Sequence, residues 1–309
     1  MRILITGASG LLGSNLVLAA SDAGHHVMAT SRTRPVQLDG VEWREADLID
    51  PEGAGALLAE MQPDGVIHCA AATDVDQCED DPNWAFALNR DVARHIAVSA
   101  REVGSGLVHI STDAVFDGSP GPHAETDEAR PINVYGESKL AGEQAVGEVH
   151  PQAAIIRVNF YGWSPPGRYS LAEWFLENLR QGKPRPGFTD IVISPLFVNQ
   201  LAGLLLSVLE AGLSGIYHIA SHDAISKYEL GVRLAQAFEL DSSLIHPANS
   251  ERAGLRAARP KDLSLRVGKI ERVLETRMPD TNVGIADLRR LEHAGYRERL
   301  EALLLEHAG

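Results

Sequence analysis

The segment "YGESK" sets a phenol, Tyr135, and an ammonium, Lys139, four residues apart. On a helix that spacing brings both side chains to one face. A phenol ionises near pH ~10, so it is a reluctant base but a usable acid. An ammonium beside it favours the phenolate and lowers that value. The pair has the makings of a tuned proton donor. The plain alternative is an exposed aromatic beside a solvated charge, and only the elements that aim the pair decide between them. Further hydroxyls stand upstream in "HISTDAVFDG", where Ser111 and Thr112 end a β-rich run.

Those elements read clearly in the first half. Short apolar runs at 2–6, 26–31, 41–46, 65–70, 106–112 and 153–158 alternate with helical patterns. The helices are expected over 10–23, with Gly24 as the stop, over 51–61, and as one long helix over 82–103. The helix carrying Tyr135 and Lys139 has Asn133 as its N-cap. Apolar strands alternating with helices predict a parallel sheet covered on both faces. The second half has loops rich in Pro and Gly, around 164–168 and 183–188, and two capping boxes, Ser170 with Glu173 and Ser226 with Glu229. Its one strongly apolar run, 215–220, is expected to return to the main sheet.

The first strand runs into "TGASGLLGSN", with glycines at Gly7, Gly10 and Gly13. Gly7 permits a tight turn, Gly10 lets backbone approach a pyrophosphate, and Gly13 lets the helix pack close to the sheet. Free amides at the helix start, around Leu11 and Leu12, would hold phosphates without net positive charge. The expected fold is therefore a Rossmann-type, doubly wound α/β sheet over 1–160, rejoined by about 190–222. A smaller, partly interleaved substrate lobe is expected over 161–189 and 223–309. The second strand ends in Thr30, Ser31 and Arg32 where an NAD site usually places a carboxylate. A hydroxyl and an arginine suit a 2′-phosphate, so NADP is favoured over NAD. Asp47 and Leu48 follow the third strand and could reach the adenine, with an N-cap role for Asp47 or Asp50 as the competing reading. The fourth strand ends in Ala70, Ala71, Ala72 and Thr73, small enough for a nicotinamide ribose to lie against the backbone.

Bulk composition narrows the partners. The 309-residue chain carries 42 acidic and 28 Lys and Arg residues, a net charge of −14, which argues against nucleic acid or an anionic membrane surface. No apolar run approaches a membrane span, and "MRILITG" has no signal-peptide layout. Two cysteines give no disulfide framework, so a reducing cytoplasm is the expected compartment. The 12 histidines are scattered and no metal-ligand spacing appears, so no metal is expected. The acidic run "DQCEDDP" reads as a solvated helix start.

Taken together, "TGASGLLG", "HCAAATDVDQCEDDP", "STDAVFDG", "NVYGESKLAGE" and "GIYHIASHDAISKYEL" resemble the extended short-chain dehydrogenase/reductases, and within them the dTDP-4-dehydrorhamnose reductases. The resemblance implies NAD(P)H-dependent reduction of a 4-keto-6-deoxy sugar nucleotide. It implies Tyr135 as proton donor, Lys139 on the nicotinamide ribose hydroxyls, and Thr112 on the same substrate oxygen as Tyr135. It implies substrate contacts from Val75, Asp113 and Phe160, and from Arg259 and Lys261 on a diphosphate. Ala114 departs from the glutamate of related dehydratases, which removes the base for elimination, and from the tyrosine usual in rhamnose-forming reductases. Asn159 and Phe160 depart from the usual Ser-Trp. Family members often dimerise, so a homodimer is among the expectations. The competing readings are a dinucleotide-binding regulatory subunit, like the β-subunit of methionine adenosyltransferase, and a sugar-nucleotide epimerase.

Overall fold

Seven parallel strands form the centre of the computed structural model, which describes residues 1–32, 36–167 and 169–304. Arg168, in a loop noted above, and the tail 305–309 lie outside those residues. The strands are β1 (Arg2–Thr6), β2 (His26–Ser31), β3 (Val41–Glu45), β4 (Gly65–His68), β5 (Gly106–Thr112), β6 (Ala154–Val158) and β7 (Gly215–Ile219). They lie side by side as β7-β6-β5-β4-β1-β2-β3. The order reverses between β1 and β4, and a crevice opens there beyond the carboxyl ends of the strands. The run at 215–219 does join this sheet, pairing with β6 from Gly215↔Ala154 to Ile219↔Val158.

The sheet is covered on both faces because its strands are apolar on both. One face packs Ile3, Ile5 and Ile67 against Leu12, Leu16, Leu201 and Leu205 from the helices Leu11–Asp22 and Val198–Glu210. The other packs Leu4, Met28 and Val66 against Leu57, Leu58, Ile96, Ala97 and Val146 from Pro51–Met61, Val92–Glu102 and Val134–Val149. Gly24 does end the first helix, with φ +79° just beyond the cap Ala23.

Three local expectations are corrected. The long helix over 82–103 is broken into Pro82–Phe86, a π-helical turn at Ala87–Asp91, and Val92–Glu102. The turn points Asn89 inward, where its amide donates to the Ala72 carbonyl (3.0 Å) and to Ser138 Oγ (2.9 Å) and its oxygen accepts from Ala72 N (2.8 Å). Tertiary hydrogen bonds here outweigh the helical ladder. The capping box at Ser170–Glu173 is complete. At Ser226 only half forms, because the Glu229 carboxylate pairs with Arg233 instead. The run "DQCEDDP" does more than solvate. Asp81 caps the short helix Pro82–Phe86, Asp74 just before the run caps Val75–Asp80, and Asp76 accepts from Ala257 N (3.0 Å) and pairs with Arg259 (3.0 Å). The run thus ties the distal chain to the sheet.

That distal chain builds a small ribbon over the crevice. Ile225–Ser226 runs antiparallel to Val192–Ile193, which pairs in parallel with Asp262–Leu263. Arg185–Phe188 and Ile245–Ala248 form a second pair behind it.

Candidate active site

A cleft of about 720 Å³ opens at the strand ends and is shared by the sheet and the ribbon. Its adenosine end is shaped by glycine. Gly7 has φ +64°, and a Cβ there would lie 2.7 Å from Ala70 N on β4's exit. A Cβ on Gly13 would fall against the Gly7 carbonyl. The helix Leu11–Asp22 starts at Gly10 with no side-chain cap. Its first amides are thus left for a ligand, and an anion there also meets the positive end of the helix dipole. A dinucleotide pyrophosphate fits this cradle. Gly7, Gly10, Leu11, Leu12 and Gly13 all line it.

Ser31 and Arg32 line the same cleft at the end of β2, and no carboxylate replaces them. Asp47 and Leu48 are cleft residues too, but Asp50 is the helix cap, accepting from Glu52 N at 3.0 Å. Asp47 bends the approach, accepting from Ile49 N at 3.1 Å. Ala70, Ala71, Ala72 and Thr73 form the wall after β4.

Below that wall lie the hydroxyls. The Thr112↔Val158 register of β5 on β6 sets Asp113 beside Asn159. Thr112 Oγ1 donates to Asp113 Oδ1 (3.1 Å), and Asn159 Nδ2 donates to Asp113 Oδ2 (2.6 Å). The helix Val134–Val149 starts where Asn133 accepts from Gly136 N (2.8 Å) and donates to the Ala258 carbonyl (2.9 Å). Gly136 answers why a glycine follows the tyrosine: a Cβ would run into the Ala114 carbonyl, so only glycine lets the helix press onto the end of β5. Tyr135 then reaches hydrogen-bonding range of Thr112. Lys139, 3% exposed, donates to the Ile110 carbonyl at 2.6 Å.

The electrostatics differ from the sequence expectation. Burial pushes the Tyr135 phenol up to about 12, with the Thr112 hydrogen bond opposing and Asp113 adding to the rise. The Lys139 ammonium is turned to Ile110 O and does not pull the phenol down. Burial also brings Lys139 itself to about 8, against the attraction of Glu143. Asp113 is lifted by burial to about 6, opposed by Asn159, Thr112 and Lys227.

Val75, Phe160 and Arg259 also line the cleft. Lys261 does not: its ammonium pairs with Asp190 (2.5 Å) behind the ribbon. Two features escaped sequence reasoning. Lys227, opening the helix Lys227–Ala237, lines the cleft from the ribbon side. Beneath the hydroxyls, Glu143 accepts from Ser111 Oγ (2.5 Å) and takes a two-pronged pair from Arg157 (2.9 and 2.7 Å). The signal for the second was present: Glu143 continues the Tyr135 and Lys139 face by another four residues. Lys227 had none, since nothing local tells a ligand-facing lysine from a solvated one. Among the described residues no group of three or more His, Cys, Asp or Glu could hold a metal, and no helix is long and apolar enough to cross a membrane.

Comparison with known proteins gives consistent matches. The family described as RmlD substrate binding domain matches residues 1–290. The probable low-salt glycan biosynthesis reductase of Haloferax volcanii is 35% identical over 93% of this chain and 97% of its own length. The methionine adenosyltransferase 2 subunit beta of Xenopus tropicalis is 31% identical over 93% and 86%. The crystal structure of dTDP-4-dehydrorhamnose reductase from Bacillus anthracis in complex with NADP superposes with a TM-score of 0.83, at 28% identity, covering 94% of this chain and 98% of that one.

Proposed function

The chain belongs to the RmlD substrate-binding domain family, and from that premise we propose that it is an NAD(P)H-dependent reductase of a nucleotide sugar carrying a 4-keto-6-deoxy group. The observation behind this reading is one cleft with a glycine cradle at one end and Thr112, Tyr135 and Lys139 at the other.

NAD(P)H, when bound, supplies the hydride. The cradle of Gly7, Gly10 and Gly13 holds the pyrophosphate, with Ser31 and Arg32 on a 2′-phosphate and Asp47 and Leu48 beside the adenine. The small residues Ala70 to Ala72, with Thr73, leave room for the nicotinamide ribose, whose hydroxyls Lys139 takes. Thr112, whose hydroxyl rests on Asp113, would turn its proton to the substrate carbonyl oxygen and orient it. As charge develops on that oxygen, Tyr135 Oη passes its proton to it. The raised phenol value keeps Tyr135 protonated at neutral pH, the state that reduction needs. Val75, Asp113, Phe160 and Arg259 are assigned to the sugar end, to which the ribbon also brings Lys227 and Leu263. Two free cysteines, Cys69 and Cys78, suit a reducing cytoplasm.

The test is NADPH consumption across a panel of nucleotide 4-keto sugars. Turnover is expected on at least one, with kcat lowered about 10²- to 10⁴-fold in Tyr135→Phe. The methionine adenosyltransferase relative favours a second reading, a dinucleotide-binding regulatory subunit. Tight NADPH binding without turnover on any panel member, together with a co-purifying partner, would establish it. An epimerase would instead retain NAD and consume none.

A further inference from the structure

Four cations line the cleft among the described residues: Arg32, Lys139, Lys227 and Arg259. Three are accounted for. Arg32 is exposed at the adenosine end. Lys139 donates to the Ile110 carbonyl, and Arg259 is neutralised by Asp76 and donates to the Ala257 carbonyl at 2.9 Å. Lys227 differs. Among the described residues its ammonium has neither a hydrogen bond nor an ion pair, only the longer-range fields of Asp113 and Arg259.

Its position is fixed by its backbone. Ser226 caps the helix by accepting from Glu229 N (3.0 Å), and Lys227 N donates to the Ile191 carbonyl (3.0 Å). The ribbon therefore presents Lys227, Arg259 and Leu263 to the cleft, which Thr112, Asp113 and Ala114 line from the sheet. The nearby carboxylate offers it little. Both oxygens of Asp113 are already engaged, by Thr112 and Asn159. A half-buried cation with no directly paired carboxylate is costly, and the cost is relieved when a ligand brings the charge.

We infer that Lys227 binds an anionic oxygen of the substrate and is a specificity-determining residue of the ribbon lobe. The assignment rests on the nucleotide-sugar reading above. In such a substrate the anionic oxygen comes from the diphosphate or from a carboxylate on the sugar. The shared chemistry is a fixed anion met by an ammonium.

Calorimetry on the NADPH-loaded protein tests this with dTDP, UDP, UDP-glucose and UDP-glucuronate as probes, comparing wild type with Lys227→Met and Lys227→Arg. For a diphosphate contact, Lys227→Met weakens dTDP or UDP at least tenfold, NADPH affinity stays within twofold, and Lys227→Arg recovers most of the loss. For a carboxylate contact, the bare diphosphates are unaffected, but a wild-type preference for UDP-glucuronate over UDP-glucose disappears in Lys227→Met. Lys227→Gln carries the same expectations and serves if the Met variant does not fold. Wild-type protein that binds these nucleotides, with every affinity within twofold in the variants, overturns the Lys227 assignment and leaves the reductase reading standing. Wild-type protein that binds NADPH and none of the nucleotides overturns both.

Discussion

Replacing Asp113 by Asn should stabilise the protein at neutral pH relative to its effect at acid pH. Asp113 is 3% exposed, and burial lifts its carboxyl from the ordinary 3.8 to about 6. Between those values the folded chain keeps a proton that the unfolded chain has released. The folded state then binds more protons, so stability falls as pH rises through that window. At about 1.4 kcal/mol for each tenfold change in the protonation equilibrium, the cost is about 3 kcal/mol once the pH is well above 6, and it fades towards pH 4. An Asn carboxamide carries no such cost. It does lose one of the two acceptors that Thr112 and Asn159 use, a penalty of about 1 kcal/mol that is the same at every pH. The diagnostic is therefore the change in the difference. Urea unfolding of wild type and Asp113→Asn at pH ~4 and ~7.5 should show the variant gaining about 2 to 3 kcal/mol on wild type between the two. A difference that moves by less than about 0.5 kcal/mol would mean that the carboxyl titrates as it does in the unfolded chain, and the account of a desolvated Asp113 would be wrong.

Two shorter predictions accompany it. Arg32→Glu should reverse the sign of charge at the end of β2 and lower the preference for NADPH over NADH at least about tenfold, read from the two dissociation constants, with the NADH value changing least. Glu143→Gln should leave the Arg157 guanidinium, 3% exposed, without its counter-charge and cost about 3–5 kcal/mol in urea unfolding, whereas Glu143→Leu combined with Arg157→Met should cost less than the single change.

What could be read from sequence is what the chain encodes locally. The glycine turn, the capped helix at Asn133 and the four-residue step from Tyr135 to Lys139 each depend on neighbours within a few positions, and all of them meet at one cleft. The contacts that escaped depend on strand register and on distant chain. Asp113 meets Asn159 only because β5 and β6 pair in the Thr112↔Val158 register, 46 residues apart for the two side chains. Asp76 meets Ala257 across 181 residues, so an acidic run that looks solvated in one dimension is a docking point in three. The π-turn at Ala87–Asp91 follows the same logic. Asn89 exchanges two hydrogen bonds with Ala72 and one with Ser138, and no helical periodicity records partners on other elements.

The largest revision concerns the pair that drew notice first. A phenol one turn from an ammonium suggests phenolate, yet in the folded chain the phenol is driven up and the ammonium faces a carbonyl. If Tyr135 is the proton donor, as proposed above, the two facts give a resting state that is ready for reduction. Oxidation of an alcohol requires Tyr135 to give up its proton before accepting one, and burial beside Asp113 opposes that. Reduction requires only that a proton be present, and an alkoxide is a far stronger base than a phenolate, so transfer from Tyr135 stays downhill even with the phenol at about 12. For Lys139 to stabilise the phenolate left behind, its ammonium would have to leave the Ile110 carbonyl and approach Tyr135, and the phenol's value would then fall. On the proposed reading the spacing of Tyr135 and Lys139 serves the bound state, since burial and not Lys139 sets the value of the resting phenol. The buried ammonium meanwhile rests on the Ile110 carbonyl, with the Glu143 carboxylate attracting it and burial opposing its charge.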